Sequence, residues 1–192
     1  MSRFNIISTL IDGVTLIQRK PIKDERGSFS RFYCAREFIA AGVNKSIAQI
    51  NHTFTRKKGA VRGLHFQYAP HTETKVVSCL KGEIFDVAVD IRQNSPTFLQ
   101  WHGEVLSAEN LKSLVVPEGF AHGFQALTDD CEIIYCVTAA YSAENESIIN
   151  AIDPMIAISW PQPITERSNR DNTQPYIDEA FTGMSLPSPD EI

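Results

Sequence analysis

From Lys75 to Leu127 the chain is built of short extended runs separated by turn residues, and this rhythm restricts its fold more than any other feature. Val76 to Leu80 ends at Lys81-Gly82, Ile84 to Ile91 ends at Asn94-Ser95-Pro96, and Phe98 to Leu106 and Lys112 to Val116 follow. Glu132 to Thr138 and Ile148 to Ala151 continue the pattern. Repeated strands without helix-length spacers exclude a parallel α/β sheet and predict an all-β sandwich or barrel, with a jelly roll the double-sheet form that suits this length. In Asp86-Val87-Ala88-Val89-Asp90-Ile91 the partial acidic and apolar alternation predicts one core face and one wet face.

Upstream, Phe4 to Ile17 reads as one or two strands ended by Pro21, and Asp24-Glu25-Arg26-Gly27 as a turn before extended residues Phe29, Phe32 and Tyr33. Ala35 to Ala41, closed by Gly42, is the best helix candidate. Ile47 to Thr55 returns to strand, and Arg56-Lys57-Lys58-Gly59 reads as a basic turn with Lys57 and Lys58 in solvent. After Trp160-Pro161 a polar, proline-containing tail predicts loop, a short helix and a frayed end.

A chain of 192 residues, 43% hydrophobic and 21% charged, fits one domain with a sizeable core, here residues 1–192 as a whole. No apolar run is long enough to cross a bilayer and the first residues lack a signal-peptide pattern, so the cytoplasm is the expected location. Cys34, Cys79, Cys131 and Cys136 lack paired spacing and read as reduced, mostly buried thiols. A formal charge of -5 disfavours nucleic acid as a partner, though a local basic pocket would still take a small anion.

Two stretches carry candidate chemistry. In Arg62-Gly63-Leu64-His65-Phe66 an imidazole lies within an apolar strand, and Lys75 opens the next apolar run, so the two side chains can converge from successive strands. Taken alone, a hydrogen-bonded core histidine and a solvated strand-end lysine is the simpler reading. In Pro117-Glu118-Gly119-Phe120-Ala121-His122 a tight turn delivers a second histidine onto a strand, as in the second half-motif of cupins. A metal site needs three well-placed ligands. His65 between Leu64 and Phe66 leaves too few, so the barrel is expected to be metal-free, with His52, His71 and His102 left open.

The ordered set Asp24-Glu25-Arg26-Gly27, Gln49-Ile50-Asn51-His52, Arg62 to Gln67, Lys75, Asp86-Val87, Asp90-Ile91-Arg92, Ser95-Pro96-Thr97-Phe98, Pro117 to Phe124, Tyr135, Trp160-Pro161 and Ser168 to Asp171 resembles the dTDP-4-dehydrorhamnose 3,5-epimerase family. The resemblance implies a cupin-type jelly roll with no cofactor or metal, acting on a nucleotide-linked 4-keto-6-deoxy sugar by inverting C3, C5 or both. It implies that His65 is the base, Asp171 its carboxylate partner, Lys75 the group facing the C4 oxygen and Tyr135 the opposite-face acid. His122 would support sugar and enolate, while Arg62, Gln49 and Asn51 would line the sugar or diphosphate site. Arg26 would reach the diphosphate of a neighbouring subunit, implying a homodimer that exchanges N-terminal strands, about residues 1–33. Two positions depart from the family pattern: Arg31 stands where many relatives have Glu, and Ala140-Tyr141 where they have adjacent aromatics, leaving Tyr141 to stack on the base. The nucleotide is therefore open among dTDP, CDP, UDP and GDP. A 3,4-ketoisomerase, a single-site epimerase and a non-catalytic sugar-nucleotide-binding cupin are the alternatives.

Overall fold

The computed structural model describes residues 2–186. Two antiparallel sheets face each other. The first sets β1 (Phe4–Ser8), β2 (Thr15–Arg19), β10 (Lys112–Val116), β7 (Lys75–Lys81), β12 (Cys131–Val137) and β5 (Gln49–Thr55) side by side in that order. The second sets β13 (Glu146–Ile148), β6 (Val61–Gln67), β11 (Phe120–Ala126), β8 (Glu83–Asp90) and β9 (Trp101–Ser107) side by side. A separate hairpin, β3 (Ile22–Asp24) and β4 (Gly27–Phe29), turns at Glu25-Arg26. The helix expected at Ala35 is α1 (Ala35–Phe38) plus a 3-10 turn, closed by Gly42 in the left-handed region at φ 89°.

Strand alternation explains how the layers bind. Val77, Cys79 and Leu114 of the first sheet pack against Ile84, Ala88, Leu106 and Phe124 of the second, forming the core between the sheets. The opposite face of β8 carries Val87 and Val89, and it is not wet. The segment before the tail and the tail itself cover it: Ile156 and Met184 are buried in that layer, with Trp160, Ile164, Ile177 and Phe181 packed against it. At about 1.5–3 kcal/mol for each large side chain fully buried, these contacts hold the tail to the sheet. Asp86 and Asp90, whose alternation suggested a solvated face, are instead fully buried on the inner side. His122 donates to Asp86 at 2.8 Å, and the Arg92, Ser95 and Thr97 side chains donate to Asp90 at 2.6–2.9 Å.

That Asp90 network also corrects a strand boundary. Ser95 and Thr97 are drawn back to the carboxylate and Leu99 sits at φ 61°, so β9 begins at Trp101 rather than at Phe98. Similarly, the strand expected at Ile148 to Ala151 lies earlier, at Glu146–Ile148, because Asn150 turns the chain: Asp153 donates to its carbonyl at 3.0 Å. The tail is loop with one short helix, α2 (Asn169–Asn172), and the frayed end expected beyond residue 186 lies outside the described residues.

One close approach shapes the site. Gly63 on β6, at φ 121°, lies against Gly123 on β11, so a Cβ at Gly63 would fall 2.6 Å from the Gly123 Cα and 2.7 Å from the His122 carbonyl oxygen. Only two glycines let these backbones meet there. The register shifts just beyond His122, which is left directly opposite His65.

Candidate active site

His65 and Lys75 are on successive strands, as expected, but those strands belong to opposing sheets. They meet across the mouth of the sandwich, where a cavity of about 550 Å³ is lined by His65, His122 and Arg62 from one sheet and by Lys75, Val77 and Tyr135 from the other. The tail closes it with Glu166, Arg167, Ser168, Arg170 and Asp171.

Asp171 reaches this cavity through a zipper of local contacts. Glu166 bridges Ala60 beside the start of β6, and Val61 donates to the Glu166 carbonyl at 2.9 Å. Ser168 then caps α2, its hydroxyl accepting from the Asp171 N–H at 3.0 Å. The carboxylate faces His65, whose Nε2 donates to Oδ1 at 2.8 Å, while the Gly63 N–H donates to Oδ2 at 3.4 Å. A carboxylate only accepts, so this contact keeps the proton on Nε2 and leaves Nδ1 as the basic nitrogen. Burial by itself would raise the Asp171 pKa. The hydrogen bond and charge of His65, with Gly63 and Ser168, outweigh it and hold the carboxyl below its ordinary range, so it remains an anion across neutral pH.

Lys75 is no solvated strand end. Its side chain is 9% exposed, and Nζ lies 3.2 Å from Glu73 Oε1 while donating to the His65 carbonyl at 3.3 Å. Tyr135 pairs with Val77 on one side and with Asn51 on the other. Burial, then the charge of Glu73, pushes its phenol above the ordinary tyrosine value, against the opposing effects of Thr53 and Arg62. The phenol therefore keeps its proton at neutral pH, as an acid must. His122 lies beside His65 and donates through Nε2 to the buried Asp86.

The remaining expected residues are placed less uniformly. Arg62 lines the cavity, its guanidinium donating to Thr55 Oγ1 at 3.1 Å and to the Phe54 carbonyl at 3.2 Å. Asn51 and Gln49 lie on β5 beyond the cavity wall, and Gln49 accepts from the Tyr141 N–H. Tyr141 is exposed outside the cavity, its hydroxyl donating to Glu146 at 2.9 Å. Arg26 is at the tip of the β3–β4 hairpin, paired with Asp24 at 2.6 Å and away from this chain's cavity. Arg31 likewise does not line this chain's cavity and pairs with Glu37 at 2.8 Å.

Several cavity residues were not singled out by the sequence. Arg56, Lys57, Arg167 and Arg170 join Arg62 and Lys75 around the opening, facing only the carboxylates of Glu166 and Asp171 among the lining residues. Lys57 is exposed, as expected, and stands at the rim 3.8 Å from Glu166. The basic run Arg56-Lys57 was the available signal, whereas Arg167 and Arg170 depend on how the tail folds back. This excess of cations gives an acidic chain a locally basic cavity.

A family model described as dTDP-4-dehydrorhamnose 3,5-epimerase matches residues 8–179. The chain belongs to this family. The dTDP-4-dehydrorhamnose 3,5-epimerase of Salmonella typhimurium is 44% identical over 178 residues, covering 92% of this chain and 97% of that enzyme. Among solved structures, the dTDP-6-deoxy-D-glucose-3,5-epimerase of Legionella pneumophila, in complex with dTDP-4-keto-L-rhamnose, superposes with a TM-score of 0.88 at 39% identity, over 96% of this chain and all of that one. A 3'-monoepimerase from Streptomyces bikiniensis in complex with dTDP-quinovose superposes with a TM-score of 0.80 at 29% identity, over 88% of this chain and 86% of that one. The two-sheet antiparallel sandwich expected from the strand rhythm is thus the fold of the epimerase family.

Proposed function

We propose that this epimerase inverts both C3 and C5 of a dTDP-linked 4-keto-6-deoxyhexose, with its base and acid on opposite walls of the cavity. One observation carries the reading: His65 projects from the five-stranded sheet and Tyr135 from the six-stranded sheet, and both line the same space. A carbon next to a ketone loses a proton only if the developing enolate is stabilised, and it inverts only if a proton returns from the other face. His65 Nδ1 takes the proton, and Asp171 steadies the imidazolium that forms. The electron pair moves from the C–H bond into the enolate, whose O4 faces the Lys75 ammonium. The Tyr135 hydroxyl gives its proton to the opposite face of the carbon. Solvent then restores both groups.

The 3'-monoepimerase of Streptomyces bikiniensis makes single-site inversion the second reading. Proton NMR of the dTDP-4-keto-6-deoxy sugar incubated with the protein in deuterium oxide separates them. Deuterium at both C3 and C5, with inversion at both, is expected; label confined to one centre would establish the single-site reading.

Arg62 and the cationic rim take the diphosphate, with Asn51, Gln49 and Tyr141 extending the site toward sugar and base. Arg26 serves the cavity of a second copy. Supporting this, the β3–β4 hairpin leaves Ile22 and Phe29 47% and 67% exposed, and the Arg26 side chain, 89% exposed, has no role in its own cavity. Sedimentation equilibrium should give twice the 21.5 kDa chain mass, and a monomer at micromolar concentration would remove the exchange. Among the described residues no helix is long and apolar enough to cross a membrane, and four free thiols fit a cytoplasmic site of action.

A further inference from the structure

Glu73 is a charged group in contact with Lys75 that the chemistry above leaves without a task. It sits just before β7, in a segment held on both sides: the Thr72 hydroxyl donates to Glu118 at 3.1 Å, and the Thr74 N–H donates to the Thr138 hydroxyl at 2.8 Å. Its backbone is consequently held. Its side chain is 11% exposed, and Oε1 lies 3.2 Å from Lys75 Nζ. A nearly buried ion pair is costly to form unless the partners are well placed, and weak as a source of stability. Here it stands at the wall where the enolate oxygen and the returning proton are handled.

The sheet register adds Tyr135 to this pair. Tyr135 lies directly opposite Val77 and Lys75 directly opposite Val137, so Lys75 and Tyr135 are diagonal neighbours on the inner face of β7 and β12. We propose that Glu73 is a positioning residue for the reprotonation half of the reaction: its carboxylate anchors the Lys75 ammonium and, as an anion near Tyr135, keeps the proton on the phenol until an enolate is there to receive it. This rests on Tyr135 being the acid. The charged and titratable groups around the phenol are Glu73 and Lys75 beside it, Arg62, His65, His122 and Glu146 from the opposite sheet, and Arg170 and Asp171 from the tail. After burial, the charge of Glu73 is the largest influence holding the phenol above its ordinary range, with Glu146 contributing less.

The sign of the effect follows. An anion near a phenol disfavours the phenolate, so removing that anion lowers the pH at which the acid is lost. Glu73→Gln keeps the shape and one acceptor for Lys75 but removes the charge. The test is the pH profile of kcat for inversion, from initial rates in short incubations. In Glu73→Gln the alkaline limb should move down by about one pH unit while the acidic limb stays in place. Glu73→Asp retains the anion on a shorter stem, so kcat should fall while the alkaline limb remains near its wild-type position. In Tyr135→Phe the residual inversion should lack that limb.

The outcomes are distinguishable. An alkaline limb unmoved in Glu73→Gln but missing in Tyr135→Phe would overturn the role of Glu73 and leave Tyr135 as the acid. A limb retained in Tyr135→Phe would overturn the assignment of the acid itself. Equal displacement of both limbs in Glu73→Gln, or a full shift in Glu73→Asp, would mean a general disturbance of the site and would also overturn the proposal.

Discussion

His65→Ala and Asp171→Asn should each lower deuterium exchange at C3 and C5 by about 10²–10⁴-fold, the usual contribution of a positioned general base. For His65→Ala the loss is that of the imidazole held by the Asp171 carboxylate, the 2.8 Å contact that leaves Nδ1 free to take a proton. For Asp171→Asn the shape survives and the chemistry does not. An amide NH₂ turned toward Nε2 would require an acceptor there, which moves the imidazole proton to the nitrogen that should be basic. Because the two side chains act as a unit, the double variant should be little slower than the worse single one. Binding of dTDP, measured by calorimetry, should stay close to wild type in both, since the diphosphate is assigned to the cationic rim. Exchange near the wild-type rate in either variant would remove the dyad.

Much of the sandwich was legible because short apolar runs and turn residues are local signals. Lys81-Gly82, Gly42 after Ala41 and Pro21 each mark a boundary where the structure has one. What escaped was set by partners distant in the chain. Asp86 and Asp90 read as solvated because acidic residues usually are, yet both lie inside, where His122 reaches one oxygen of Asp86 and the Arg92, Ser95 and Thr97 cluster holds Asp90. The fate of Phe98 and Leu99 followed from that same cluster. Likewise Lys75 taken by local pattern alone reads as a strand-end charge, and only the fold supplies Glu73 and the His65 carbonyl. The tail posed the largest difficulty. Its polar composition says loop, and it is loop, but its scattered Trp160, Ile164, Ile177 and Phe181 lack any periodicity that would announce a packed layer. Family resemblance, rather than local pattern, singled out Asp171, and the structure brings it 106 residues along the chain to His65.

The division of labour between the two sheets is tested most directly by Tyr135→Phe, which removes one hydroxyl and leaves the ring packed against Val77 and the inner core. His65 and Asp171 remain intact in this variant, so proton abstraction continues, and the proton or deuteron returns from the base side with retention. Loss of the opposite-face donor should cut inversion by about 10²-fold or more while slowing exchange far less. The measurement is the ratio of deuterium taken up to inverted product formed, followed by NMR for wild-type and Tyr135→Phe protein on the same dTDP-4-keto-6-deoxy sugar in deuterium oxide. A ratio that rises by about 10-fold or more places the base and the acid on opposite walls. An unchanged ratio would mean that the returning proton comes from elsewhere, and the assignment of Tyr135 would fail.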